Sequence, residues 1–200
     1  MPVRVVTTRE LHRALLARQL LLERATAPVP RALELMGCLQ AQYAPSMYVG
    51  LWSRVGGLPR GDLTRLLEQR AVVQGTLMRV TIHLVSAADY WPLALAVREA
   101  RRALWLRATR HAVPADDLAA AAEVVRRRLQ EGPIRRKELD ELVGRDRSIG
   151  VGLWVDLVRV PPSGTWDRRR ADLYGLASQV GRKRTGAGVE GSGMGAPGRS

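Results

Sequence analysis

The chain has 200 residues, 46% of them hydrophobic, which is enough for one large domain or two small ones with buried cores. Its net charge is +13, and Lys137 and Lys183 are the only lysines among 32 basic residues. So positive a chain attracts polyanions, although a codon bias toward arginine would give the same composition. The single cysteine, Cys38, excludes an intrachain disulfide and a cysteine-based zinc site.

Helices are predicted through most of the first 70 residues. Thr7 and Glu10 have the spacing of a capping box at the start of the first helix, whose apolar face holds leucines 11, 15, 21 and 22. A second helix begins near Pro30, buries Leu33, Met36 and Leu39, and contains Cys38 as a small buried hydrophobe. Two more helices are expected at about 47–55 and 62–70.

A strict period-two alternation predicts one long strand over Thr76–Ser86. Residues 78, 80, 82 and 84 form its apolar, buried face, and Arg79, Thr81 and His83 form the accessible face. Helical sequence resumes at Ala87–His111, with five arginines spread over its surface: Arg98, Arg101, Arg102, Arg107 and Arg110.

Pro114 begins what we predict to be a second domain. Its first helix is capped by Asp116 or Asp117, its second covers 134–143, and its third starts at Ser148. Strands near 157–160 and 173–177 follow, and they flank the turn sequence Pro161-Pro162-Ser163-Gly164. Three helices followed by a hairpin is the order of a winged helix, in which one helix enters the major groove of DNA. Residues 179–200 are rich in glycine and arginine and are predicted to be disordered.

No apolar run approaches the length of a membrane span, and the N-terminus lacks the apolar segment of a signal peptide. We therefore expect a cytoplasmic protein with no membrane partner. We also expect a monomer with no cofactor and no metal.

Gln40 and Gln42 flank Ala41 at the end of the second predicted helix. On a continuous helix, residues two apart point about 200° away from each other, so both amides can face one site only if the helix ends between them. Pro45 favours such an ending. From the residues alone, two glutamines that bond free carbonyls or water at a helix end remain the simpler interpretation.

Other candidates also have two interpretations. Arg79, Thr81 and His83 fit a solvated sheet face as well as a nucleic-acid contact. The run Arg168, Arg169 and Arg170 fits phosphate contacts as well as an exposed charge run; Arg135, Arg136 and Lys137 are weaker candidates of the same kind. Three aromatic residues are expected in the core rather than stacked on bases: Tyr43, Tyr48 and Trp52.

Three blocks of sequence, Leu39–Tyr43, Leu51–Arg54 and Leu77–Ser86, resemble the AlkZ/YcaQ-type winged-helix DNA glycosylases. A fourth, Leu157–Trp166, is similar to the family's second winged-helix module. The similarity covers roughly residues 7–178, and several spaced blocks are more specific than one tripeptide.

The resemblance implies a mainly α fold with small β-hairpins, built from tandem winged-helix (helix-turn-helix) modules at 1–113 and 114–178. It implies excision of alkylated purines, including crosslinked ones, from double-stranded DNA during repair. It places a Gln-x-Gln catalytic motif on Gln40 and Gln42, and its similar strand favours a DNA channel lined by Arg79, Thr81 and His83.

The implied chemistry suits neutral amides. A purine alkylated at N7 is cationic and leaves readily, so the enzyme has mainly to place a water below the sugar C1′ and stabilise the developing positive charge. A glutamine oxygen can orient that water. Neither lysine lies near the motif in sequence, so we expect a monofunctional hydrolase rather than a lyase.

The chain departs from the family in length, because known members continue with a further winged-helix module. Here Ala177 is followed by Gly/Arg-rich sequence, which resembles a truncation or a change of reading frame. Two alternatives therefore stand beside the glycosylase: a non-catalytic winged-helix regulator and an inactive relic of the enzyme.

Overall fold

The structure, a computed structural model, describes residues 5–179. The helices are α1 (Thr8–Arg18), α2 (Val29–Met36), α3 (Ala44–Trp52), α4 (Arg60–Glu68), α5 (Ala87–Ala96), α6 (Arg98–Ala108), α7 (Ala115–Arg128), α8 (Arg136–Val143), α9 (Arg145–Gly150) and α10 (Gly152–Val155). The strands are β1 (Leu39–Gln40), β2 (Val72–Thr76), β3 (Ile82–Ser86), β4 (Ile134–Arg135), β5 (Leu157–Arg159) and β6 (Leu173–Leu176). Apart from Gln179, the predicted disordered tail lies outside the described residues.

One antiparallel sheet contains all six of these strands, in the order β1-β3-β2-β5-β6-β4. β2 pairs with β3 from Val72 opposite Ser86 to Thr76 opposite Ile82. On its other side β2 pairs with β5, with Gly75 opposite Val158. Strands from both sides of the predicted boundary at residue 114 therefore share one sheet. Helices account for 55% of the described residues, so the fold is a mixed α/β arrangement in which helix predominates. The division into two winged-helix modules stays a prediction.

The sheet is covered on both faces, because successive residues of a strand point to opposite sides. Leu84 packs with Leu33 of α2 and Leu63 of α4 in one apolar cluster. Val85 packs with Tyr90 of α5 in another. A Cβ at Gly75 would lie 2.6 Å from Cε2 of Tyr90, so glycine at this position lets α5 lie directly against the sheet.

The N-terminus of α1 is capped as the sequence predicts. Oγ1 of Thr7 accepts a hydrogen bond from the Glu10 backbone N–H (3.2 Å), and Oε2 of Glu10 accepts one from the Thr7 backbone N–H (2.9 Å). The apolar face of α1 is nevertheless solvent-exposed, with Leu11 52% and Leu15 53% accessible. Within the described residues α1 buries none of its own side chains.

The prediction of a single strand over Thr76–Ser86 is wrong, since β2 and β3 form a hairpin with a turn at 77–81. The Leu77 N–H donates to the Thr81 carbonyl (3.0 Å), and Arg79 and Val80 have positive φ of 52° and 58°. Tight hairpin turns need such angles and usually mark them with Gly or Asn. Neither residue occurs here, so the apolar alternation runs through the turn without a break.

The predicted helix over Ala87–His111 is divided at Val97 into α5 and α6. The expectation that Arg101 lies on the surface is wrong: it is 2% exposed and forms an ion pair with Asp156, the residue before β5. Arg98 binds the other oxygen of the same carboxylate at 2.7 Å. This face of α6 contacts the sheet, and the buried charge requires the carboxylate partner.

In the second half of the described chain, helices precede the β5–β6 hairpin as the sequence predicts, but they number four rather than three, because the predicted third helix is divided into α9 and α10. Two further local predictions are wrong. Ile134 and Arg135 pair with β6 as strand β4 instead of starting a helix. The cap of α7 is Pro114, which has no side-chain cap bond, while the predicted caps, Asp116 and Asp117, lie in the first turn.

Candidate active site and nucleic-acid interface

Gln40 and Gln42 lie on an extended segment rather than on a helix. α2 ends at Met36 because Gly37 adopts φ of 87°, and the chain then pairs with β3 through β1. The Ala41 N–H continues this pairing by donating to the Ile82 carbonyl at 2.8 Å. Gln40 and Gln42 are exposed while Ala41 between them is 2% exposed, which is the alternation of an extended chain. Both side chains are thus open to solvent on the segment that contains and follows β1.

The amide of Gln42 is oriented by the backbone of β3. Its Oε1 accepts a hydrogen bond from the Ile82 N–H at 3.0 Å, in the place where a regular ladder would offer a main-chain carbonyl. An N–H donor requires an oxygen acceptor, so this bond fixes which way the amide is turned. One lone pair of Oε1 and both Nε2 hydrogens are left for a ligand or water.

Gln40 lies opposite His83 in the β1–β3 register. The prediction of an accessible His83 is wrong, because this residue of β3 is only 4% exposed. Its Nδ1 lies 3.0 Å from the Thr81 carbonyl oxygen. Because a carbonyl can only accept, Nδ1 carries the hydrogen of this bond. Burial lowers the pKa of His83, and the nearby Arg79 charge lowers it further, although the bond to Thr81 opposes both. His83 is therefore part of the buried packing.

Arg79 and Thr81 belong to the β2–β3 turn, not to a strand face. Arg79 is exposed at the tip of this turn. Thr81 is half-buried, and its hydroxyl donates to the Met78 carbonyl at 3.1 Å. Of these three predicted contacts, the structure leaves Arg79 fully available to solvent and Thr81 partly so.

The loop between β5 and β6, residues 160–172, is held from inside by Ser163. Its hydroxyl donates to the Arg170 carbonyl (2.7 Å) and accepts from the backbone N–H groups of Asp172 and Leu173 (2.8 and 3.1 Å). The buried Gln74 amide donates to the Gly164 carbonyl at 2.8 Å and so ties the loop to β2. These bonds give a long loop a defined shape.

Trp166 anchors the same loop on the first half of the chain. Its ring meets Tyr48 of α3 edge to face, with centroids 5.7 Å apart, and the Arg60 guanidinium lies 5.5 Å from its centroid. Tyr48 is 5% exposed, so its predicted place in the core is confirmed. The corresponding prediction is wrong for Trp52, which is 56% exposed.

Arg168, Arg169 and Arg170 are all exposed and, with Arg135, line a cleft of about 210 Å³. Asp172 is the only acidic lining residue that the described part of this cleft contains, and it pairs with Arg170 at 3.2 Å. The cleft therefore has an excess of positive charge, as a phosphate-contacting surface requires.

Arg169 connects this cleft to the glutamine segment, because its Nη1 donates to the Tyr43 hydroxyl at 3.2 Å. The prediction that Tyr43 is a core residue is wrong, since it is 55% exposed. The local sequence gave no signal of this exposure, because the contact partner of Tyr43 lies in the β5–β6 loop. Cys38 also lies outside a helix, between α2 and β1, and burial raises the pKa of its thiol.

The sequence profile of the AlkZ-like DNA glycosylases matches residues 33–194, which include both glutamines and the β5–β6 loop. The chain belongs to the AlkZ-like DNA glycosylase family. Its fold matches that of the Streptomyces sahachiroi DNA glycosylase AlkZ with a TM-score of 0.65 and 21% sequence identity. The match covers 83% of this chain and 48% of that one, so the chain spans about half the length of the solved structure. A search of curated proteins finds no significant match.

Among residues 5–179, no helix is long and apolar enough to cross a bilayer. Over the same range, no three His, Cys, Asp or Glu side chains gather in a way that could hold a metal ion.

Proposed function

We propose that this protein hydrolyses the N-glycosidic bond of N7-alkylated purines in double-stranded DNA, including purines joined in a crosslink. The observation that supports this most strongly is the exposed pair Gln40 and Gln42 on one segment at the edge of the sheet, with the second amide oriented by the Ile82 N–H. The pair belongs to the region matched by a family of DNA glycosylases.

In this proposal the glutamines hold one water below the sugar C1′. The remaining lone pair of Gln42 Oε1 accepts a hydrogen from that water, and the Gln40 amide oxygen accepts the other or faces the positive charge that develops on the sugar. Because an N7-alkylated purine leaves as a neutral base, no strong acid has to protonate it. Because the Gln42 amide is already oriented before the substrate binds, less conformational entropy is lost on the way to the transition state.

Hydrolysis, rather than lyase chemistry, also fits the side chains. A lyase needs an amine nucleophile beside the sugar. Lys137, the lysine within residues 5–179, is on the exposed surface of α8, within 3.9 Å of Glu141. Its amine is thus engaged by a carboxylate of its own helix.

Arg168, Arg169 and Arg170 contact phosphates in this proposal, with Arg79 and Thr81 at the β2–β3 turn as further contacts. We do not extend the role to His83, because its ring is buried. The bond from Arg169 to Tyr43 would bring the phosphate-contacting loop next to Gln42. The DNA backbone bound by this loop would then lie close to the reacting sugar.

The test is a duplex that contains one 7-methylguanine, incubated with enzyme and then assayed for abasic sites by alkaline cleavage. Wild type should produce abasic sites. Gln40→Ala and Gln42→Ala should each slow the reaction roughly a hundredfold, the usual effect of removing one oriented dipole from a transition state, with little change in binding. Gln130→Ala, at an exposed glutamine after α7, is the matched control and should be fully active.

Tight binding of this duplex by wild type without any abasic sites would reject the glycosylase and favour a non-catalytic DNA-binding regulator or an inactive relic. Equal activity of wild type and both alanine variants would reject the assigned residues while keeping the activity.

A further inference from the structure

A second cavity, of about 260 Å³, lies among α6, the helices α8 to α10 and the strands β5 and β6. Apolar side chains, including Trp105, form about half of its wall, and Arg136, Ser148 and Arg159 contribute polar groups. An engineered cavity of about 150 Å³ holds a benzene molecule. This one has room for a group the size of one ring together with a charged substituent.

Arg159 gives this cavity a positive charge that no carboxylate balances. Its Nη1 donates to the Thr76 hydroxyl at 2.8 Å, and its guanidinium lies 5.4 Å from the Tyr174 ring centroid. Its Nε is buried and has no hydrogen-bond partner. No Asp or Glu oxygen lies within ion-pair distance of it in the described part of the chain. Burial accordingly lowers the pKa of this arginine.

Within residues 5–179, neighbouring arginines, unlike Arg159, have carboxylate partners. Arg98 and Arg101 share the carboxylate of Asp156, and Arg136 pairs with Asp140 at 2.8 Å. Arg159 is only partly exposed and has no carboxylate partner among the described residues, so an anion that enters the cavity meets an unpaired guanidinium. Arg159 is the unpaired member of this set, and it lines the cavity.

The donors around the cavity come from separate elements. The Thr76 hydroxyl accepts from Arg159 and can therefore turn its own hydrogen into the cavity. Arg136, which pairs with Asp140, also lines the cavity and donates from Nη2 to the Ser148 hydroxyl at 3.0 Å. A guanidinium and a neighbouring hydroxyl can donate together to the oxygens of a phosphate, an anion that arginine binds through two parallel hydrogen bonds.

We propose that this cavity binds the phosphate group of a nucleotide-sized ligand, with the phosphate on Arg159 and Thr76 and the ring of the ligand against Trp105. The site is distinct from Gln40 and Gln42, and the inference does not depend on the glycosylase proposal.

The experiment is a thermal unfolding titration with sodium phosphate, with sodium chloride at equal ionic strength as reference, on wild type, Arg159→Met and the exposed control Arg127→Met on α7. Phosphate stabilises proteins in general by exclusion from their surfaces, a contribution that grows steadily with concentration. A bound phosphate instead adds an increase in Tm that follows the logarithm of its concentration above Kd.

We expect this additional rise in wild type and in Arg127→Met and its loss in Arg159→Met. Without phosphate, Arg159→Met should have a Tm equal to or above that of wild type, because methionine keeps the apolar stem and removes a half-buried charge that has no carboxylate partner in the described chain. A purely structural Arg159 would give the opposite result: a lower Tm for the variant and no difference between phosphate and chloride in wild type. Should the variant fail to fold, the absence of the logarithmic rise in wild type still overturns the proposal.

Ligands of increasing size show whether the bound phosphate belongs to a free nucleotide or to a DNA end. Deoxyguanosine 5′-monophosphate should bind more tightly than inorganic phosphate, and deoxyguanosine without phosphate should not shift Tm. Competition by a 5′-phosphorylated duplex, but not by the same duplex without that phosphate, would assign the site to DNA ends. Lack of competition by both would assign it to free nucleotides. Binding of deoxyguanosine as strong as that of its monophosphate would overturn the proposal.

Discussion

The Arg169 guanidinium donates a hydrogen bond to the Tyr43 hydroxyl across 3.2 Å, between residues that are 126 positions apart in the chain. Tyr43 directly follows Gln42, and Arg169 is the middle residue of the exposed arginine run in the β5–β6 loop. This bond joins the proposed phosphate-contacting surface to the proposed catalytic segment.

Replacing Arg169 with alanine should weaken binding to duplex DNA and make it less dependent on salt. Each lost phosphate contact lowers the slope of log K against log salt by about 1. Fluorescence anisotropy between low and moderate salt measures that slope. Tyr43→Phe removes only the hydrogen bond and should have a smaller effect, whereas Arg127→Ala on α7 should have none. An unchanged slope for Arg169→Ala would mean that this arginine does not contact DNA.

Trp166→Ala should loosen the β5–β6 loop. It removes the edge-to-face contact with Tyr48 and the cation–π contact with Arg60, so we expect a loss of about 1–3 kcal/mol in the free energy of unfolding. Urea denaturation gives this value, and DNA affinity should fall with it. Trp52→Ala, at an exposed tryptophan, is the control and should cost under about 1 kcal/mol. Equal losses in the two variants would contradict an anchoring role for Trp166.

Asp156→Asn should be strongly destabilising, because it leaves Arg98 and Arg101 without their shared carboxylate. Breaking a buried ion pair from one side costs about 3–5 kcal/mol. Asparagine tolerates the left-handed φ of 53° at this position, so the change isolates the charge from the backbone. Chemical denaturation of this variant and of Arg101→Met with Asp156→Asn should show partial recovery in the double variant. A loss below about 1 kcal/mol in the single variant would contradict the importance of the pair.

Acidification should destabilise the protein in part through His83. Burial lowers the pKa of His83 in the folded protein, so the unfolded chain binds one more proton once the pH falls below about 6.5. The stability that this group contributes is present above that pH and is lost as the pH falls toward the folded pKa. Urea denaturation at pH 7.5 and 5.5 should show a smaller loss for His83→Gln than for wild type. The control His12→Gln, on the exposed α1, should lose as much as wild type does.

Features with local causes were predictable from the sequence. The capping box of Thr7 and Glu10 depends on four adjacent residues, and Pro161-Pro162-Ser163-Gly164 marks the start of the β5–β6 loop by composition alone. The family resemblance correctly identified the AlkZ-like DNA glycosylase family.

Features that depend on contacts distant in the sequence were not predictable. The orientation of Gln42 depends on Ile82, the burial of Arg101 on Asp156, and the exposed position of Tyr43 on the β5–β6 loop. The turn at 77–81 was missed for another reason: its positive φ angles fall on Arg79 and Val80, residues that give no turn signal.

The pairing of β2 with β5 bears on how the chain could be divided. A fragment that stopped at residue 113 would leave β2 as a sheet edge, with the main-chain groups of Gln74 and Gly75 unpaired beside apolar side chains. Such an edge is a template for joining further copies, so this fragment should precipitate when expressed alone. Supplying residues 114–179 in the same cell would complete the sheet in trans and return the fragment to solution.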